Sequence, residues 1–242
     1  MSRTTNKHCA LVTGGARRIG RAICLKLSSM GYTIAIQFHN SKTAAEELKA
    51  EIQQSGGEAG LFSCNLTDPT NTRKLIPLVL EHYPNLSVLV NNASVFEKDS
   101  LREADLALFE QHFKIHGQAP FILSHMFARH CKEGDIINLL DTHITQNQSQ
   151  HFSYLLSKKM LLAMTEMAAV ELAPGIRVNG IAPGLILPPD EKSEHYLRRL
   201  AKDIPLKRKG SLENVTRTVE FLLKNDFLTG QVIFNDGGEH LL

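Results

Sequence analysis

Cys9-Ala10-Leu11-Val12-Thr13-Gly14-Gly15-Ala16-Arg17-Arg18-Ile19-Gly20 reads as a short apolar strand, a tight glycine turn and the start of a helix. That order creates a place where backbone can approach a pyrophosphate. Gly14 and Gly20 permit the turn and the close approach. The helix start adds unpaired N–H donors and the positive end of its dipole. Cations at such a start oppose the dipole, so Arg17 and Arg18, just before Ile19, point to a bound phosphate. An ordinary Gly-rich turn is the alternative, since short glycine patterns recur by accident.

Outward from this loop the chain alternates. Strands are expected at Cys9–Thr13, Tyr32–Phe38, Ala59–Ser63, Ser87–Val90, Asp135–Leu140, Arg177–Ile181 and Gln231–Phe234. Helices are expected at Arg17–Met30, Thr43–Gln54, Pro69–Tyr83, Phe152–Leu172 and Leu212–Leu223, with two more filling Leu101–Cys131. Alternating β and α elements imply a parallel sheet covered on both faces, as the near-continuous apolar strands also do. The expectation is one α/β domain over residues 1–242: a Rossmann fold with a doubly wound, mostly seven-stranded parallel sheet. Its ligand belongs at the carboxyl ends of the strands.

The bulk properties exclude several classes. Lys and Arg number 27 against 25 Asp and Glu, a net charge of +2, which gives no reason to expect a nucleic-acid partner. No apolar run approaches the ~20 residues of a membrane span, and the start, Met1 to Cys9, lacks a signal-peptide core. Cys9, Cys24, Cys64 and Cys131 lie far apart, as free thiols of a reducing compartment would. A cytoplasmic protein acting on a small molecule is expected. His112 and His116 stand four apart without a third ligand at fitting spacing, so no metal is expected.

The second strand ends at Gln37-Phe38-His39-Asn40-Ser41, with no acid before Glu46. An NAD site usually carries an acid there for the ribose 2′-hydroxyl. With Arg17 and Arg18 nearby, the expected cofactor is NADPH/NADP.

Only Tyr154, of four tyrosines, has a lysine four residues on, Lys158. The spacing puts both on one helix face, at the start of the helix that follows the fifth strand. A phenol normally titrates near 10; a neighbouring ammonium and a cationic nicotinamide are expected to lower that value and let Tyr154 exchange a proton with substrate. A solvated surface pair is the alternative.

Taken together, Thr13-Gly14…Gly20, Asn91-Asn92-Ala93, Tyr154-x-x-x-Lys158, Pro183-Gly184 and Asp236-Gly237-Gly238 resemble the short-chain dehydrogenase/reductase family over nearly the whole chain. The resemblance implies that Asn92, Ala93, Asn65 and Leu66 line the cofactor with His39, Asn40 and Ser41, and that Pro183, Gly184 and Leu185 lead over the nicotinamide. It implies a substrate lid at about 187–209 and a homotetramer or dimer. Three positions depart from the pattern. Arg18 stands for the middle glycine, Asp141 for the serine 13 residues before the tyrosine, and His116 for a helix asparagine.

These departures are similar to the pteridine reductases and, more closely, to bacterial dihydromonapterin reductases. That likeness implies reduction of a dihydropterin, of dihydromonapterin, dihydrobiopterin or dihydrofolate type, to the tetrahydro form. It implies substrate contacts from Arg18, Ser94, Phe96, Asp141, Tyr154 and Leu187, with Phe96 stacking on the ring and Ser94 also near the cofactor. Physically, an ionised Asp is acceptor-only and suits a substrate rich in N–H donors, where serine suits a carbonyl. Asp141 could instead merely cap a turn, and Thr142 could replace the missing serine. Two alternatives stay open: a carbonyl or 3-oxoacyl thioester reductase of the same family, and a non-catalytic NADP-sensing protein. The basic run Lys207-Arg208-Lys209 reads as solvated surface.

Overall fold

The computed structural model describes residues 8–188 and 194–242. Residues 189–193 of the segment expected as a lid lie outside it, as do residues 1–7.

Seven strands form one sheet: β1 (Cys9–Val12), β2 (Thr33–Phe38), β3 (Ala59–Ser63), β4 (Leu86–Asn91), β5 (Gly134–Leu139), β6 (Ile176–Pro183) and β7 (Val232–Asn235). Their order is β3-β2-β1-β4-β5-β6-β7, and every neighbouring pair is parallel. The helices are α1 (Arg18–Ser29), α2 (Lys42–Gln54), α3 (Pro69–His82), α4 (Leu106–Phe113), α5 (Ala119–His130), α6 (Phe152–Glu171), α7 (Glu194–Leu200) and α8 (Leu212–Lys224). This is the expected doubly wound Rossmann-type sheet.

Side chains alternate between its faces. Ala10 and Val12 of β1 join Ile34 and Ile36 against α1, α2 and α8, through Ile23, Leu27, Leu48 and Val219. Cys9 and Leu11 join Leu89 and Ile136 against α3 and α5, through Leu75, Leu123 and Phe127. The strand order turns back on either side of β1, which leaves a crevice between the carboxyl ends of β1 and β4.

Two elements differ from expectation. The segment 106–130 is one continuous helical path, because a π-helical turn at Lys114–Gln118 joins α4 to α5. Pro120 lacks an N–H for the carbonyl of His116, and its ring crowds that carbonyl, so the ladder widens there without ending. Within the segment expected as a lid, α7 adds a short helix, and Leu197 in it and Ala201 and Ile204 just after it are buried.

Candidate active site

The first loop is tied to the end of β4. Thr13 Oγ1 accepts the backbone N–H groups of Asn92 (2.9 Å) and Ala93 (3.0 Å), and Asn92 Nδ2 donates to Thr13 O (2.8 Å). Gly14 has φ +59°, and a Cβ on Gly20 would lie 2.3 Å from Gly14 O. No residue with a side chain fits at Gly20 unless the loop opens. Gln37 braces the same loop: its Oε1 accepts Gly14 N–H at 2.8 Å while its Nε2 donates to Cys64 O at 2.7 Å. Sequence reading missed Gln37; a polar residue in the buried strand β2 is the signal that could have found it.

No side chain caps the N-terminus of α1, and its first turn holds no acid. Arg17 and Arg18 are exposed beside it, as are His39 and Asn40 at the end of β2, while Ser41 is half-buried. An uncapped helix start flanked by two guanidinium groups is the donor set a pyrophosphate and a further phosphate need. Arg18 sits at φ +53°, the left-handed region its glycine-bearing counterparts would enter freely. Its Nη2 donates to Pro188 O at 2.7 Å and so ties the first loop to the segment after β6. Asn65 and Leu66 lie after β3, with Asn65 Oδ1 accepting from Thr67 and Leu66 buried. Pro183 ends β6, Gly184, Leu185 and Leu187 follow it, and all four are half-buried.

Tyr154 and Lys158 open α6 and are buried, 6% and 2% exposed. They form no surface pair. The start of α6 is fixed by Asp99, whose carboxylate accepts from Ser153 N (3.1 Å) and from Ser153 Oγ. Lys158 Nζ donates to Leu139 O at 2.7 Å and lies 5.7 Å from the centre of the Tyr154 ring. Burial brings the Lys158 ammonium down to about 8, with Asp141 acting against it.

Tyr154 Oη donates to Asp141 Oδ2 at 2.8 Å. Burial first, then the charge and hydrogen bond of Asp141, raise the Tyr154 phenol well above its ordinary value. The expected lowering rests on the ammonium together with a cationic nicotinamide; within the chain itself burial leads, then the Asp141 carboxylate, and both favour the neutral phenol.

Asp141 also caps a 3-10 turn at Thr142–Thr145, its Oδ1 accepting from His143 N and His143 Nδ1, both at 2.9 Å. Capping and site placement are therefore combined in one residue. Burial pushes the Asp141 carboxyl up, but the bonds and charge of His143, with the bond from Tyr154, outweigh it and leave the group below the ordinary carboxylate value. Reciprocally, the bond to Asp141 raises His143 despite burial, with Glu239 and Asp236 adding to it. His143 Nε2 stands 3.6 Å from Glu239 Oε1. Thr142 is turned away: it is 1% exposed and its hydroxyl donates to Asp236 Oδ2. Asp236 accepts from Gly238 N (2.9 Å) and His240 N (2.7 Å) as well, so the chain's tail pins the turn that carries Asp141. His143 went unremarked in the sequence, and Glu239 stood out only as part of the tail Asp236–Leu241 that resembles the dihydromonapterin reductases; spacing carries no sign of a contact between such distant segments.

Ser94 and Phe96 are exposed, and the Phe96 ring stands edge-on to Tyr154 at 4.8 Å and stacks on His151 at 4.2 Å. The π-helical turn buries His116 behind Ser94, its ring 5.3 Å from that of Tyr154.

A family model described as enoyl-(acyl carrier protein) reductase matches residues 14–240. The chain belongs to the short-chain dehydrogenase/reductase family. Its members are oxidoreductases that use a nicotinamide dinucleotide, and the uncapped α1 start with its arginines fits that cofactor. A 3-oxoacyl-[acyl-carrier-protein] reductase FabG of Staphylococcus epidermidis is 31% identical, over 96% of this chain and 98% of that protein. A solved structure of FolM alternative dihydrofolate reductase 1 from Brucella suis, in complex with NADP, is 36% identical with a TM-score of 0.94, covering 99% of this chain and 97% of that one. A short chain dehydrogenase from Burkholderia cenocepacia, also in complex with NADP, has a TM-score of 0.89 at 29% identity, covering 98% and 99%.

Proposed function

We propose that this chain is an NADPH-dependent reductase that takes a dihydropterin, of dihydromonapterin, dihydrobiopterin or dihydrofolate type, to the tetrahydro form. The observation that carries the reading is Asp141, an acceptor-only carboxylate bonded to Tyr154 Oη at 2.8 Å where the family has a serine. A carbonyl oxygen beside it would be repelled; the N–H groups of a pterin ring would be held. The likeness to FolM alternative dihydrofolate reductase 1 supports the same substrate class.

NADPH, when bound, supplies a hydride to a ring carbon. The chain supplies the rest. Tyr154, kept protonated by its burial, gives its proton to the ring nitrogen of the same C=N bond. Lys158 holds an ammonium beside the phenolate this leaves. Asp141 receives the substrate's N–H, and Phe96 offers its exposed ring for stacking. Arg17, Arg18, His39, Asn40 and Ser41 are assigned to the cofactor phosphates; Asn92, Ala93, Ser94, Asn65, Leu66, Pro183, Gly184 and Leu185 to the rest of it; Leu187 to substrate.

The apolar surface of α5 and α6 supports a homotetramer, since Phe121, Met167 and Val170 are 62%, 72% and 82% exposed. Four buried free thiols suit a cytoplasmic location; among the described residues no helix is long and apolar enough to cross a membrane.

The competing reading, a 3-oxoacyl thioester reductase, draws on the FabG relatives. It would require a hydroxyl in the place of the family's serine, and that of Thr142, next to Asp141, is committed to Asp236. Purified protein is to be assayed with NADPH and, separately, a dihydropterin, dihydrofolate and an acetoacetyl thioester. Pterin turnover, lost in Asp141→Ser, is expected. Turnover of the thioester alone would replace the reading; NADPH binding without turnover of any would favour a sensor.

A further inference from the structure

His116 is buried, 1% exposed, and both ring nitrogens have partners whose roles can be assigned. Ser157 Oγ lies 2.9 Å from Nδ1 and gives its own proton to Tyr154 O at 2.6 Å. With its proton committed, Ser157 Oγ can only accept, so Nδ1 carries a hydrogen. At Nε2 the backbone N–H of Val95 arrives at 3.4 Å, and an N–H needs a lone pair there. Nε2 is therefore bare, and the Ser94 hydroxyl, 2.9 Å from it, is the donor of that contact. A competing bond from Ser94 to Val95 O is longer, at 3.3 Å. Burial, with Lys158 and His112 nearby, keeps the ring far from protonation, so the arrangement does not change over ordinary pH.

One consequence follows for Ser94. Its proton points inward at His116, and its remaining lone pairs face the open side, where Ser94 is exposed. We propose that His116, as the neutral Nδ1–H tautomer, fixes the Ser94 hydroxyl as a hydrogen-bond acceptor toward the substrate and so selects ligands that offer an N–H group there. His116 is a positioning residue that acts through Ser94. With Asp141 bonded to Tyr154 Oη, the site then presents two acceptors, a pattern an amino-substituted, N–H-bearing ring satisfies and a simple ketone does not. The selectivity clause rests on the dihydropterin reading; the tautomer assignment does not.

The test has two parts. Long-range ¹H–¹⁵N spectra of the full chain, without cofactor, report which ring nitrogen of each histidine is protonated. His116→Gln identifies the signal, and Ser157→Ala, which perturbs the same ring, does so if that variant fails to fold. Protonated Nδ1, bare Nε2 and no titration as pH falls through the ordinary histidine value near 6.5 are expected. An Nε2–H tautomer, or an imidazolium forming near that value, overturns the proposal.

Kinetics with saturating NADPH and a dihydropterin give the second part. Ser94→Ala should raise KM about tenfold, the order of one hydrogen bond. In a His116→Leu background the same change should matter less than about twofold, because Ser94 is no longer locked. Equal effects in both backgrounds overturn the proposal. Failure of the substrate reading looks different: no dihydropterin turnover by the wild type removes the selectivity clause while the spectrum still reports on the tautomer.

Discussion

Replacing Lys158 by methionine should shift the pH dependence of stability in a direction set by one buried charge. Lys158 is 2% exposed and its ammonium titrates at about 8 in the fold, against 10.5 ordinarily. At about 1.36 kcal/mol per pKa unit, folding the charged form costs about 3 kcal/mol below pH 8. The sign follows from proton counting. Between pH 8 and 10.5 the unfolded chain holds this proton and the folded chain has lost it, so the wild type gains stability as pH rises. Lys158→Met lacks that term. Its other loss, an orphaned Leu139 carbonyl where Nζ donated at 2.7 Å, costs about 1–3 kcal/mol at any pH and cancels in the comparison. Urea unfolding of both proteins, free of cofactor, at pH 7 and 9.5 should show the wild type gaining on the variant by about 2 kcal/mol. A change under about 0.5 kcal/mol, or one of opposite sign, would mean that Lys158 is not buried as an ammonium at neutral pH.

Tyr154→Phe should lower kcat by about 10²–10⁴ with the Kd for NADPH unchanged; near-normal turnover removes Tyr154 from proton transfer. His143→Gln takes away the imidazole bond and charge that help offset the burial of Asp141 and leaves the backbone N–H bond, so the Asp141 carboxyl rises and the acid limb of kcat/KM moves to higher pH. An unmoved acid limb would show that His143 does not set the Asp141 charge. Arg18→Gly should leave stability unchanged or raise it by up to about 1 kcal/mol, since the residue stands at φ +53°, and should raise the KM for NADPH about tenfold. Unaltered discrimination between NADPH and NADH would end its assignment to a phosphate.

The strands were legible because both sheet faces are covered: runs such as Leu86–Asn91 and Gly134–Leu139 have little room for polar alternation. The turn of 114–118 was not, because Pro120 signals a break without saying whether a helix stops or widens around it. The short helix α7 was hidden for another reason. Leu197, Ala201 and Ile204 have helical spacing, but seven residues give too little periodicity to separate from a loop.

The site divides along a different line. Tyr154 and Lys158 announce themselves because their partnership is local, four residues on one helix. The two histidines that set the acceptors could not, because a histidine's state is a property of its surroundings. His143, partly exposed and bonded to a carboxylate, is raised; His116, sealed beside Lys158, is lowered. The sequence marks His116 only as a departure from an asparagine and leaves His143 unmarked; the state of each is set when folding brings Ser157, 41 residues away, against one and Glu239 against the other. A buried carboxylate in place of a serine would tend to take up a proton and become a donor, so Asp141 remains an acceptor only with His143 in the same turn. A serine left to rotate would present donor or acceptor alike, so Ser94 needs His116 behind it. The departures at 116 and 141 therefore belong to one change of site polarity, and reverting either alone should degrade dihydropterin turnover without restoring carbonyl chemistry.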